Sequence, residues 1–351
     1  MKRITLLTVT AVTVPLLTAC ELAPKTSAQN GYRGTGMDTI KVSAKAAAEE
    51  VPAPPYTPPG TDGPRAGSIY QNLKVLGDVS DEQFNYTMAA ITQWVAPGEG
   101  CNYCHNPANM ASDEKYTKVV ARQMLQMTRN VNANWNDHVG QTGVTCWTCH
   151  RGNAIPKEYW SLPASDPRTI AGNKHGQNAP VSNAAYSSLP NAAVALYLMG
   201  GTNPNDNIRV VSTTAHPSPK NRLSTKEAEY SYAMMMHVSQ ALGVNCTYCH
   251  NAQSFQSWAT SNPPRQTAWY GVRMVRDINS KYITPLAPVF PANRKGEGGD
   301  PFKVNCATCH QGQNKPMGGA QMAKDYPALW MQTIAAPATP APVQASAPAA
   351  I

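Results

Sequence analysis

The pentapeptide Cys-x-x-Cys-His occurs four times, as Cys101–His105, Cys146–His150, Cys246–His250 and Cys306–His310, and uses eight of the nine cysteines in a chain of 351 residues. In such a segment two thiols add across the vinyl groups of a haem, and the adjoining histidine is placed to ligate the iron. Zinc sites and disulfide frameworks also use cysteine pairs, but neither needs a histidine directly after every pair. The chain therefore reads as carrying four covalently attached c-type haems. Cys101, Cys104, Cys146, Cys149, Cys246, Cys249, Cys306 and Cys309 are the attachment points, and His105, His150, His250 and His310 the proximal iron ligands. Four porphyrins would supply much of the apolar surface that side chains ordinarily provide. Aromatic residues are only 7%, while 30 prolines and 24 glycines favour irregular stretches between short helices.

The ninth cysteine belongs to a different pattern. Lys2 and Arg3 precede a mostly apolar stretch from Ile4 to Ala19, which closes on Leu17-Thr18-Ala19-Cys20. This is the form of a bacterial lipoprotein signal, so residues 1–19 are expected to be removed and Cys20 to carry a diacylglycerol lipid. The alternative is an uncleaved anchor helix, but sixteen residues interrupted by Pro15 fall short of the roughly 20 that span a bilayer. Either way the body is exported. The formal charge of +8 falls to +6 without Lys2 and Arg3, and to −2 once eight haem propionates are added. The basic balance of the bare chain is thus no argument for nucleic acid as a partner.

An internal repeat organises the rest. The first and third motifs share C-x-Y-C-H-N, and the second and fourth share C-x-T-C-H-x-G-x-x-x-P, giving an A-B-A-B order. The expected fold is mainly α with long irregular segments, a multihaem cytochrome built from two tandem haem-pair repeats of helix–turn–CxxCH units. The expected boundaries are a signal over 1–19, a membrane-proximal lead-in over 20–67 and a first haem pair over 68–154. A connecting segment over 155–220, a second haem pair over 221–333 and a disordered Ala/Pro-rich tail over 334–351 follow.

The repeat also points to the sixth iron ligands. Met88 and Met235 align in M-x-x-[IV]-[ST]-Q-x-[VL], each on the apolar stripe of a helix ahead of an A motif. A methionine on such a face is ordinarily packing; two aligned ones beside haem motifs read as ligands. Before the B motifs, Met127 to Trp135 aligns with Met274 to Tyr282, and in that register Met124 faces Gly271. The second haem can take Met124, whereas the fourth has lost that ligand; Met127 and Met274 read as shared packing. Of the spare histidines His138, His175, His216 and His237, His138 is the candidate to reach across from the first half, with a solvated loop histidine as the alternative reading.

These features resemble the tetrahaem cytochrome subunit of the purple-bacterial photosynthetic reaction centre, over essentially the whole mature chain. In that family methionines 13, 22 and 11 residues before the first motif cysteine ligate the first three haems, which here are Met88, Met124 and Met235. The resemblance makes the fourth haem bis-histidine through His138. It implies an electron carrier without bond-making catalysis, lipid-anchored at the periplasmic face of the bacterial inner (photosynthetic) membrane. Electrons would pass from a soluble c-type cytochrome, or a high-potential iron–sulfur protein, to the photo-oxidised bacteriochlorophyll pair held by the reaction-centre core subunits. The haem order would be first, second, fourth, third, with the third beside the pigment. The Ala/Pro tail is a departure that the family pattern does not explain.

Two rivals fail on position or coordination. A tetrahaem cytochrome with every iron bis-histidine would need His175 and His216, both remote from any motif. A multihaem enzyme would need an open iron position, and all four irons have named sixth ligands. Asp78, Asp81, Glu82, Glu99, Asp113 and Glu114 cluster around the first motif against Lys74, Lys115 and Lys118, a local excess of −3. That cluster is expected to serve as a dock for a basic donor, although Asp81 and Glu82 also suit a helix N-terminus.

Overall fold

The computed structural model describes residues 23–29, 38–43, 51–162, 187, 189, 193–199, 208 and 225–330. The expectations for the signal segment and Cys20, for His175 and His216, and for the Ala/Pro tail lie outside the described residues. Contacts divide the chain into one unit over Met1–Val51 and another over Pro52–Ile351.

In the first unit, the stretch read from sequence as a lead-in contains an antiparallel ribbon. Lys25–Gln29 (β1) pairs with Asp38–Val42 (β2), with Lys25 opposite Val42 and Gln29 opposite Asp38. Thr26, Thr39, Ile40 and Val42 supply the β-branched side chains that suit such strands.

The second unit is helical, with irregular connections and isolated bridges such as Trp160 to Lys303. Its principal helices are Asp81–Val95 (α1), Tyr116–Asn134 (α2), Cys146–His150 (α3), Ala193–Leu198 (α4), Thr225–Leu242 (α5), Pro264–Ile278 (α6) and Cys306–His310 (α7). Local chemistry sets their ends. Ser80 caps α1 by accepting from the Gln83 amide, and Asp81 and Glu82 sit in its first turn, where the helix dipole favours them. Pro264 opens α6 at the position where its missing N–H is harmless. Gly243 ends α5 at φ +63°, and a Cβ there would lie 2.3 Å from the Gly312 carbonyl. Only glycine satisfies both demands.

The same packing contacts recur in both halves of this unit. Helix α1 lies against α3, with the Gly152 amide donating to the Trp94 carbonyl at 2.8 Å. Helix α5 lies against α7, with the Gly312 amide donating to the Ala241 carbonyl at 2.8 Å. Asn132 on α2 donates to the Val144 and Leu329 carbonyls and accepts from the Val144 amide. Asn279, just past α6, does the same for Val304 and Leu198. Arg129 Nε donates to the Ala328 carbonyl at 2.8 Å, and Arg276 Nε to the Tyr197 carbonyl at 2.6 Å.

These pairings reveal a crossing that sequence order does not suggest. Helix α4, from the connecting segment, packs beside α5 and α6 in a core of Trp160, Val194, Tyr197, Leu198, Met234 and Val275. The corresponding service to α1 and α2 comes from the far end of the chain. There Tyr326 stacks on Tyr86 at 5.0 Å and meets Trp94 edge-on at 4.5 Å.

Candidate haem-binding sites

Each motif is shaped by its own neighbours. In the B type, Cys146–His150 and Cys306–His310 each form a single helical turn and a half. The threonine of C-x-T-C-H explains itself: Thr148 Oγ1 accepts from the Thr145 amide, and Thr308 Oγ1 from the Asn305 amide, both at 3.0 Å. These bonds satisfy amides that a helix start leaves without a partner. The chain then leaves through left-handed residues, Arg151 and Gln311 at φ 49° and the motif glycines Gly152 and Gly312 at φ 78° and 79°. In the A type, the cysteines sit on tighter turns, Gly100–Tyr103 and Cys246–Tyr248. The asparagine after the histidine closes an Asx turn, Asn106 accepting from the Ala108 amide and Asn251 from the Gln253 amide, both at 2.9 Å.

All four motif histidines share one arrangement. Nδ1 lies against a backbone carbonyl: Met110 for His105 at 3.0 Å, Asn153 for His150 at 2.8 Å, Phe255 for His250 at 2.9 Å and Gln313 for His310 at 2.9 Å. A carbonyl can only accept, so the proton is placed on Nδ1 and the Nε2 lone pair is left for a metal. The two types differ in reach, to the fifth residue onward in A and the third in B. Burial lowers the pKa of His150 and His250, opposed by these same carbonyls. His310 is pushed down to about 4, by burial first and the His138 ring second. Neutral imidazole is the form that ligates iron.

Five of the motif thiols are likewise shifted toward the neutral form. Burial raises Cys104, and brings Cys249 up to about 11 and Cys146 and Cys306 up to about 12. Cys149 is raised first by its contact with Cys309, whose Sγ is 2.8 Å away, and then by burial. The two B motifs therefore meet sulfur to sulfur.

His138 follows α2 in the short turn Asn136–Val139, with Nδ1 2.9 Å from the Thr267 carbonyl of α6. Burial lowers its pKa against that bond. Its ring stands 5.9 Å from that of His310, at 68°. The cradle is Gly271: a Cβ there would lie 2.5 Å from His138 Cε1 and 2.7 Å from Nδ1. The residue that replaces a methionine in the repeat register is thus the one whose lack of side chain admits the histidine. Met88, Met124 and Met235 are half-buried on α1, α2 and α5. Met274 is buried in a cluster with Val131, Ile278 and Ile283, and both Met124 and Met127 pack against it. Neutral imidazoles and thioethers are the donor set that haem iron takes, and the residues present fit that group.

The acidic cluster is less free than its sequence suggests. Arg129, 1% exposed, grips both oxygens of Asp78 at 3.0 and 3.1 Å. Asp113 pairs with Arg122 at 2.9 Å and Lys118 at 3.5 Å. Asp81 accepts from Tyr70 and Asn85, and Glu114 from Asn106; Glu82 and Glu99 are exposed. With Arg122 and Arg129 counted beside the three lysines, the excess of the six carboxylates falls from −3 to −1. Sequence reasoning also missed Arg294, which joins the first two motifs by donating to Tyr103 Oη and the Ala154 carbonyl. It lies far along the chain and no repeat marks it.

Cysteine pairs on helical turns, each followed by a histidine whose Nδ1 is fixed to the backbone, define a c-type cytochrome. The family model described as photosynthetic reaction centre cytochrome C subunit matches residues 21–330, and the chain belongs to that family. It is 50% identical to the photosynthetic reaction center cytochrome c subunit of Rubrivivax gelatinosus, over 99% of this chain and 92% of the relative. The subunit of the same name from Thermochromatium tepidum is 45% identical over 99% and 86%, and that of Roseobacter denitrificans 38% identical over 88% and 86%. The chain is accordingly an electron-transport protein of photosynthesis, with covalently bound c-type haem. It associates with reaction-centre core subunits at the photosynthetic membrane. Among the described residues no helix is long and apolar enough to cross a membrane.

Proposed function

We propose that the chain is the tetrahaem electron relay of its reaction centre, on the periplasmic side, passing electrons from a soluble donor to the photo-oxidised bacteriochlorophyll pair. The observation that carries this reading is that four motif histidines all present Nε2 with Nδ1 held by a carbonyl. Haem, when bound, supplies a one-electron iron couple. The residues holding it are Cys101, Cys104 and His105 with Met88; Cys146, Cys149 and His150 with Met124; Cys246, Cys249 and His250 with Met235; and Cys306, Cys309 and His310 with His138. The paired local geometries of the A and B motifs support two tandem haem pairs, and the His138–His310 approach ties the pairs together. With two protein ligands apiece, the irons would have no open position for substrate or oxygen, which would suit a carrier and not a catalyst. Cys20, bearing lipid, anchors the body from outside.

A redox titration of isolated membranes combined with flash spectroscopy tests the reading. It should count four haems, with the bis-histidine one separated from the three methionine-ligated ones, and show them re-reducing the oxidised pigment. A haem count other than four, or a pigment re-reduced without haem oxidation, overturns it.

A further inference from the structure

Helix α5 carries a histidine with no part in the ligand set above. His237 is 3% exposed, and its Nε2 is enclosed without a hydrogen-bond partner among the described residues. An unpaired buried polar group costs about 1–3 kcal/mol, and buried polar groups in folded proteins are overwhelmingly paired. A group outside the polypeptide is therefore expected to meet this nitrogen.

Packing does not demand the histidine. In the alignment of Met88 with Met235, the position of His237 is taken by Ala90, which is fully buried on α1. Both helices lie against a B motif, and the carbonyls of Trp94 and Ala241 receive the equivalent glycine amides of the two motifs. One half thus needs only a methyl group where the other places an imidazole. The direction of that imidazole follows from helical spacing. His237 is three residues from Met234 and four from Ala241, so all three share one face, while Met235 lies about 200° around the helix. The face bearing His237 thus holds two residues that meet the fourth motif, Ala241 through its backbone carbonyl and Met234 through the core on which Cys306 packs.

A haem has two carboxylates on its periphery, and a ring N–H donating to a carboxylate makes a charge-assisted bond of about twice the ordinary strength. We propose that His237 donates its Nε2–H to a propionate of the haem attached at Cys306 and Cys309, and so acts as a positioning residue that sets that haem's potential. The proposal rests on the reading of the fourth motif as a bis-histidine haem site. Removing the donor leaves the propionate charge less compensated, which favours the ferric iron and lowers the potential.

The test uses the full chain in its reaction-centre membranes, with His237→Ala, the residue that α1 uses, and His237→Gln, which keeps an N–H donor. Haem per chain and all four midpoints are measured. The expected result for His237→Ala is four haems, with the bis-histidine haem alone shifted downward at least threefold in its reduction equilibrium, about 28 mV at 59 mV per tenfold. His237→Gln should recover at least half of that shift. Four unchanged midpoints, a shift confined to another haem, or a glutamine variant as low as the alanine one overturns the proposal. Should His237→Ala fail to accumulate, resonance Raman spectra of the unaltered protein decide, taken in the potential window where the bis-histidine haem alone titrates. A propionate bending band at its hydrogen-bonded, deuterium-sensitive position supports the bond, and one at the free position overturns it. A count below four haems in the unaltered protein instead defeats the tetrahaem reading itself.

Discussion

At Gly271 a single added methyl group would collide with the His138 ring at 2.5 Å, which is closer than carbon atoms pack without something moving. Gly271→Ala is expected to displace the imidazole from its place beside His310. Overpacking of this kind costs about 1–3 kcal/mol, and the spectroscopic consequence is loss of the bis-histidine signature. Electron paramagnetic resonance of the oxidised membranes checks this, and a spectrum identical to that of the unaltered protein would rule out His138 as the ligand. Asn279 is a second residue with a disproportionate role, since its amide closes hydrogen bonds to Val304 and Leu198 on separate segments. Asn279→Ala leaves buried backbone groups unpaired, at about 1–3 kcal/mol, and should lower the melting temperature measured by circular dichroism. The sequence displayed Asn132 and Asn279 at matched positions, with Val144 and Val304 likewise matched two residues before a B motif, but not their other partners, because the carbonyls of Leu329 and Leu198 lie outside the repeat. By contrast Met124 facing Gly271 was legible, because a missing side chain in a repeat is visible without coordinates.

The motif helices are too short to be stable alone, so their geometry depends on the bonds at their ends. Thr308→Val removes the hydroxyl that accepts from the Asn305 amide. The loss should cost about 1 kcal/mol, as a capping group does, visible as a lowered denaturation midpoint; an unchanged midpoint would mean the threonine is there for its shape. Helix α2 is tied to the loop before it by Asp113, which accepts from Asn72 at 2.9 Å and pairs with Arg122. Burial pulls its pKa up, but the Arg122 and Asn72 hydrogen bonds override this and bring it to about 2. Because the folded value lies below the ordinary one, the stabilisation is fully present above about pH 4 and is lost as pH falls toward 2. Asp113 is 44% exposed, so solvent screening keeps the contribution under about 1 kcal/mol. Melting curves of Asp113→Asn and the unaltered chain should differ at pH 6 and converge near pH 2. Curves that stay equally separated at both pH values would show that the tie is not electrostatic.

For the whole molecule, the helical, irregular fold was legible because four haem motifs and the proline and glycine content leave little room for sheet. The route of the chain was not. Repeat logic assigned the last segment to the second half, whereas Tyr326, Ala328 and Leu329 pack on α1 and α2 of the first. The far end does for the first half what α4 does for the second, and apolar contacts of this kind leave no periodic mark on a sequence. The charge tally erred for a related reason, since Arg122 and Arg129 reach carboxylates that only the fold brings near. Tyr326 is the residue on which the crossing turns, lying 2% exposed between Tyr86 and Trp94. Tyr326→Ala would open a cavity there at about 3–5 kcal/mol, by analogy with other large aromatic truncations in cores. Because Arg129 and Asn132 draw on the adjoining carbonyls, the damage should spread along α1 and α2, not α5. Hydrogen exchange resolved by segment would then show faster exchange over residues 81–134 than in the unaltered chain, with residues 225–242 close to unchanged. Equal acceleration in both stretches would mean that the two halves melt as one cooperative unit, and that the segment around Tyr326 braces both halves and not the first alone.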